Sequence, residues 1–516
     1  MTSDEIVGAR FGRIVRAGVA LIALAAVAGA SLLAAAGEAP LAEAVKAGDR
    51  AAARSLLAQH VDVNAPEADG TTALHWAARH DDVALAGELI RAGADVAAAN
   101  RYGVTALYLA SVNGSAAMIA RLLEAGADAN AAVTLGETAL MTAARTGDVE
   151  ALRLLLDHGA VVDATEAWRG QTALMWAAAQ NHAAAVRELI LRGADVNAVS
   201  AVKAWERQVT EEPRQKWLPP GGFTPIHFAA RQGAVEAATV LVEHGAGLNA
   251  VDPDGISPLL ISIINGHYDV AKLLIDEGAD PSLTDTTGRT ALFAAVDFNT
   301  MPASNRPAPS VVEKPTTSLE LIALLLERGA DPNVPLARQQ PYRTKLDRGN
   351  DTVLGGGTTP LMRAAKAGDV PAMRLLLAHG ADATLTTTAN SRRRSGGINA
   401  LMLAAGLGTK EEDTTGRDKT EAQAVEAIQL VLDAGVDVNA TDAGGQTALH
   451  GAALQGYDAV VRFLAGQGAA LDVKDTRGFT PIDVAMGLAG GVGFDGRSSN
   501  PHPSTAALIE ALLASR

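Results

Sequence analysis

The chain carries eleven histidines and 58 acidic side chains, the residue types from which general bases and metal sites are built. Their spacing does not assemble such a site. No two histidines stand four residues apart, the step that places a pair of imidazoles on one helix face, and no HExxH motif occurs. The glycine-rich segments Gly355–Gly357 and Gly487–Gly493 lack the lysine of a phosphate loop. The acidic residues gather at turns and loops, where a solvated face is the simpler reading. No enzyme, metal or cofactor is therefore expected. The chemistry that remains is recognition. Arg101 and Tyr102, Trp168 and Arg169, Trp205 and Trp217 combine large rings with guanidinium groups, the pairing that concentrates energy at protein interfaces.

Composition narrows the partner. A formal charge of −15 argues against nucleic acid, which demands a positive face, and fits a soluble monomer. Hydrophobic residues make up 48% but aromatics only 3%, so the core is built from small aliphatic side chains on closely approaching elements. At 516 residues such a chain must divide into domains or extend by repetition. Arg10, Arg13 and Arg16 precede an uncharged apolar run, Ala17–Gly37, which reads as an export signal with cleavage after Ala30 or Ala36. The alternative is a retained membrane anchor. The chain has no cysteine, so disulfides and lipidation at a lipobox are excluded. An exported, cysteine-free chain suits a bacterial periplasm, or secretion.

The elements that position these residues repeat. A Gly-x-Thr/Ser-Ala/Pro-Leu/Ile start recurs at Thr72, Thr105, Thr138, Thr172, Thr224, Ser257, Thr290, Thr359, Thr447 and Thr480, with Asn399 in a degenerate copy, and many of the steps are 33 residues. Each start sets a helix cap before an alanine-rich helix. Each copy ends on Gly-Ala-Asp or a relative of it, as at Gly193–Asp195, where glycine stops a second amphipathic helix. A 33-residue helix–turn–helix period with TALH at Thr72–His75 and Thr447–His450 and GADVNA at Gly193–Ala198 resembles the ankyrin-repeat family, above all its exported bacterial members. The resemblance implies an all-α solenoid of roughly a dozen units over residues 37–516, after a signal peptide or anchor over residues 1–36. It implies that His75, His227 and His450 bond the backbone of adjoining turns. It also implies a protein-binding scaffold whose partner lies on the concave face and finger loops.

Irregular steps locate insertions near 199–222, 297–317, 334–356 and 407–420. Several of these and one further finger are basic: Lys203, Arg207, Arg214 and Lys216; Arg338, Arg343, Lys345 and Arg348; and Arg392–Arg394. Carried over by position, the expected partner contacts are Arg101, Tyr102, Arg145, Trp168, Arg169, Trp205, Trp217, Phe223 and Arg231. Arg79, Gln180 and Lys366 sit at further ends of first helices, and Arg477 at a finger tip. Trp76 and Trp176 read as half-buried packing.

Overall fold

The computed structural model describes residues 39–203, 208–209, 215–216, 220–300, 315–338, 354–388, 396–408, 419–488 and 500–516. The run Ala17–Gly37 lies outside them. Among the described residues no helix is long and apolar enough to cross a membrane.

Every repeat makes the same two helices for the same reasons. Thr105 and Thr138 accept hydrogen bonds from Tyr108 and Met141 N–H, and Asn399 does the same for Met402. Pro225, Pro258, Pro360 and Pro481 open helices, where the missing N–H has no partner to lose. The alanine pairs Ala77–Ala78, Ala143–Ala144, Ala177–Ala178 and Ala229–Ala230 are wholly buried, so neighbouring first helices pack at short range. Short second helices such as Val83–Arg91 begin on an aspartate cap, Asp82, whose carboxylate receives Leu85 N–H.

The chain divides into two compact units, Met1–Ala177 with Ala184–Asp195, and Ala178–Ala183 with Val196–Arg516. In the N-terminal unit the first helices Pro40–Lys46, Ala73–Arg79, Ala106–Asn113 and Ala139–Thr146 stack in one row. Val83–Arg91, Ala116–Glu124 and Val149–Asp157 stack in a second. The C-terminal unit repeats this from Pro225–Gln232 to the closing pair Pro481–Ala485 and Pro503–Ala514. Its departure from all-α is a hairpin, Gln208–Val209 against Gln215–Lys216, inside the 199–222 insertion.

Asparagines at the repeat ends tie neighbours together. Asn64 donates to Gly93 O and accepts from Asp95 N–H. Asn130 does so with Gly159 and Val161, Asn197 with Gly245 and Gly247, Asn333 with Gly380 and Asp382, and Asn439 with Gly468 and Ala470. Ala97, Ser282 and Thr384 occupy this place in other repeats.

Two expectations are corrected. The helix Ala291–Asn299 runs three residues into the supposed 297–317 insertion, because Asp297 turns inward and is buried against Arg363. Lys366 is buried rather than offered at a helix end, and its carbonyl receives the Lys419 ammonium at 3.2 Å. Gly406 does shorten its repeat: the first helix there is only Ala400–Ala404.

Candidate partner-binding surface

The fingers of the N-terminal unit are tight turns built from their own side chains. At the Asn100–Val104 finger, Asn100 Oδ1 accepts from Tyr102 and Val104 N–H. Gly103 holds φ +74°, and a Cβ there would stand 3.1 Å from Val133 Cα in the next finger, so neither its conformation nor its surroundings admit a side chain. At the next-but-one finger the Glu166 carboxylate, itself buried, receives Trp168, Arg169 and Gln171 N–H at 2.6, 2.8 and 3.0 Å. These turns hold Tyr102, Trp168 and Arg169 at exposed tips. Arg101 lies over the Tyr102 ring, 4.8 Å from its centroid, and donates to its hydroxyl at 2.7 Å.

Behind the fingers, the first helices present aromatic side chains. Trp76 donates to Glu67 at 3.0 Å, and Lys46 both pairs with Glu67 at 2.9 Å and sits 4.8 Å from the Trp76 ring. Tyr108 donates to Glu137 at 3.0 Å; Thr142 donates to the same oxygen, and Arg145 lies 3.8 Å from it. Burial first, then the Glu137 charge, raises the Tyr108 phenol above its usual range. Arg145 also stands 5.4 Å from the centroid of Trp176. Trp76, Tyr108, Leu109 and Trp176 are half-buried, which gives a floor of rings whose acidic neighbours are already engaged and whose Arg79 and Arg145 are exposed.

In the C-terminal unit, the position four residues after the helix cap is closed. It carries Phe228, Ile261, Arg363 and Leu403, all buried. Arg363 is 1% exposed and its Nε lies 2.6 Å from Asp297. Phe223, expected at a finger tip, is only 4% exposed. It stacks on His227 with centroids 5.3 Å apart and meets Phe228 edge-on, and its backbone pairs with Ser200 at the base of the long finger. Closed in by His227, Phe228 and the base of the long finger, Phe223 is not offered to a partner. Arg231 covers both Phe rings at 5.8 and 5.3 Å. Arg477 is held by Asp475 at 2.8 Å. Trp205, Trp217 and Arg392–Arg394 lie outside the described residues.

The histidines serve the scaffold. His75, His227 and His450 take Thr72, Thr224 and Thr447 N–H on Nδ1. Each Nε2 faces a carbonyl of the next repeat, that of Val104, Ile256 or Phe479. A carbonyl only accepts, so Nε2 carries the proton and the ring is neutral. Burial lowers all three pKa values, that of His227 to about 4. Among the described residues no group of three His, Cys, Asp or Glu is placed to hold a metal ion.

Sequence reasoning missed Leu135, exposed on the finger between Tyr102 and Trp168. Its signal is register, since 102, 135 and 168 are steps of 33. It also missed Tyr108 and the Asp297–Arg363 pair.

Models of ankyrin repeats in three copies match residues 41–133, 129–200, 208–285 and 226–335. A model of many copies matches 431–485, and a single-repeat model matches 356–388. Inversin of Danio rerio is 39% identical over 85 residues, 16% of this chain and 7% of inversin. Serine/threonine-protein kinase 12 of Arabidopsis thaliana is 44% identical over 62 residues, 12% of this chain and 14% of the kinase. The chain thus spans a small part of either relative. The crystal structure of the human ASB11 ankyrin repeat domain aligns with a TM-score of 0.39 and 29% identity, over 47% of this chain and 99% of that one.

Proposed function

Because the chain belongs to the ankyrin-repeat family, whose repeats generally mediate protein–protein interaction and are typically not enzymes, we propose that it is an exported bacterial scaffold that binds a protein partner on its N-terminal unit. The observation that carries this reading is the half-open aromatic floor, Trp76, Tyr108 and Trp176, with exposed Arg79 and Arg145 beside it. Rings lose little side-chain entropy on binding, and guanidinium groups add directional bonds. Trp205, Trp217 and Arg231 belong to the C-terminal unit and are proposed as partner contacts of that unit by itself. The location is the periplasm, with the mature chain beginning between Ser31 and Glu38; intact mass of the exported protein checks this, and a chain that keeps Met1 in the cytoplasm refutes it.

The binding test starts from affinity capture in periplasmic extract, followed by titration of the captured protein. Arg145→Glu combined with Arg79→Glu weakens binding by about 2 kcal/mol or more, the hot-spot threshold. Arg121→Glu, on the second-helix row, leaves it unchanged. Equal loss from both variants places the partner elsewhere.

A further inference from the structure

Three successive finger tips of the N-terminal unit hold large apolar side chains in the open: Tyr102 at 53% exposure, Leu135 at 60% and Trp168 at 50%. Their 33-residue steps put them in a row. Counted from the residue whose N–H closes the finger, each tip stands two residues on, where other described fingers carry Asp69, Asp254, Thr287, Gly444 and Arg477. Apolar tips are therefore particular to this row, and isolated surface leucines do not explain it.

Several peptide groups of the tips are also occupied. Arg101 N–H donates to Asp69 O, Thr134 N–H to Tyr102 O and Ala167 N–H to Leu135 O, each bond joining one finger to the next. Tyr102 N–H is taken by Asn100 and Trp168 N–H by Glu166. A loop normally cannot leave water without stranding peptide donors and acceptors. This row strands fewer of them.

We infer that the Tyr102–Leu135–Trp168 row docks on a lipid surface. Tyrosine and tryptophan settle at the boundary between headgroups and acyl chains, where ring and polar tip are both accommodated. Arg101 and Arg169, beside the two ends of the row, suit anionic headgroups. A row of apolar side chains standing half or more exposed on successive fingers matches an extended apolar medium.

The absence of native cysteine makes the test clean. Leu135→Cys and, as reference, Leu191→Cys, an exposed position at the end of a second helix, are labelled in the full chain with an environment-sensitive fluorophore. Each is read in buffer, on phosphatidylcholine vesicles and on vesicles containing phosphatidylglycerol. The expected result is a blue shift with several-fold brightening at position 135 alone, larger with phosphatidylglycerol and abolished by Tyr102→Ser with Trp168→Ser. A label at 135 that still reports water on vesicle-bound protein overturns the proposal. So does a label that responds to the captured protein partner but not to vesicles, which assigns the row to that partner. Neither outcome touches the Arg79 and Arg145 footprint.

Discussion

The N-terminal and C-terminal units repeat one design and use the same register differently. Four residues after the cap, the N-terminal unit has half-open Trp76, Leu109 and Trp176 beside one buried residue, Thr142, and the C-terminal unit has buried Phe228, Ile261, Arg363 and Leu403. The helices and caps are alike, so the backbone does not decide whether this position is surface or core. What lies over it does. Phe228 is closed by the buried Phe223 ring packed edge-on against it, and Arg363 is drawn to Asp297 of the preceding repeat. One unit thereby keeps its floor for a partner, and the other converts it into internal stabilisation.

The contrast is sharpest at Arg363. Arg363→Met leaves Asp297 charged in a buried site, a change worth about 3–5 kcal/mol. Denaturant unfolding followed by hydrogen exchange is expected to show the loss in the C-terminal unit only. Adding Asp297→Leu recovers much of it, because an apolar pair of similar volume needs no charge compensation.

Acid separates the units next. Folded His227 stays neutral down to about pH 4, whereas the unfolded chain binds that proton near pH 6.5. Its contribution is complete above about pH 6.5 and is lost as pH falls to about 4, a total of about 3 kcal/mol. His450 acts in the same direction in the same unit, and His75 alone does so in the N-terminal unit. Asp252, raised to about 6 by burial, and Asp442, also raised by burial, lie in the C-terminal unit and act in the opposite direction. With both replaced by Asn, exchange protection should fall more between pH 7 and pH 4.5 in the C-terminal unit; equal loss would break the comparison.

Smaller effects follow on the surface. Asn130→Ala removes two bonds to the next repeat and costs about 1–2 kcal/mol, read as a lower denaturation midpoint. Tyr102→Ser touches only an exposed tip and changes stability by less than about 0.5 kcal/mol. A large drop in melting temperature would make Tyr102 a structural residue and remove it from any docking surface.

Much of this was legible because each repeat restates it. Thr72 and Thr447 fix the caps, the alanine pairs fix the close packing, and Gly193 marks a helix end. Phe223 was misread because the 199–222 insertion hides its register: counted from Thr224 it stands directly before the cap, where its ring reaches His227 and Phe228, and counted along the loop it looks like a tip. Asp297 and Arg363 are 66 residues apart with an insertion between, so no local pattern joins them. Leu135 is an unremarkable leucine until aligned with Tyr102 and Trp168.

The asparagine ties have a mechanical meaning. Where Asn64, Asn130, Asn197, Asn333 and Asn439 clasp the following repeat, neighbours move as one block. Where Ala97, Ser282 or Thr384 stands in their place, that clasp is missing. In a stack whose stability is a sum of nearest-neighbour terms, those places are compliant joints. Tension along either unit is expected to open the stack there first, so that it yields in steps of whole blocks and acts as a spring with built-in stops.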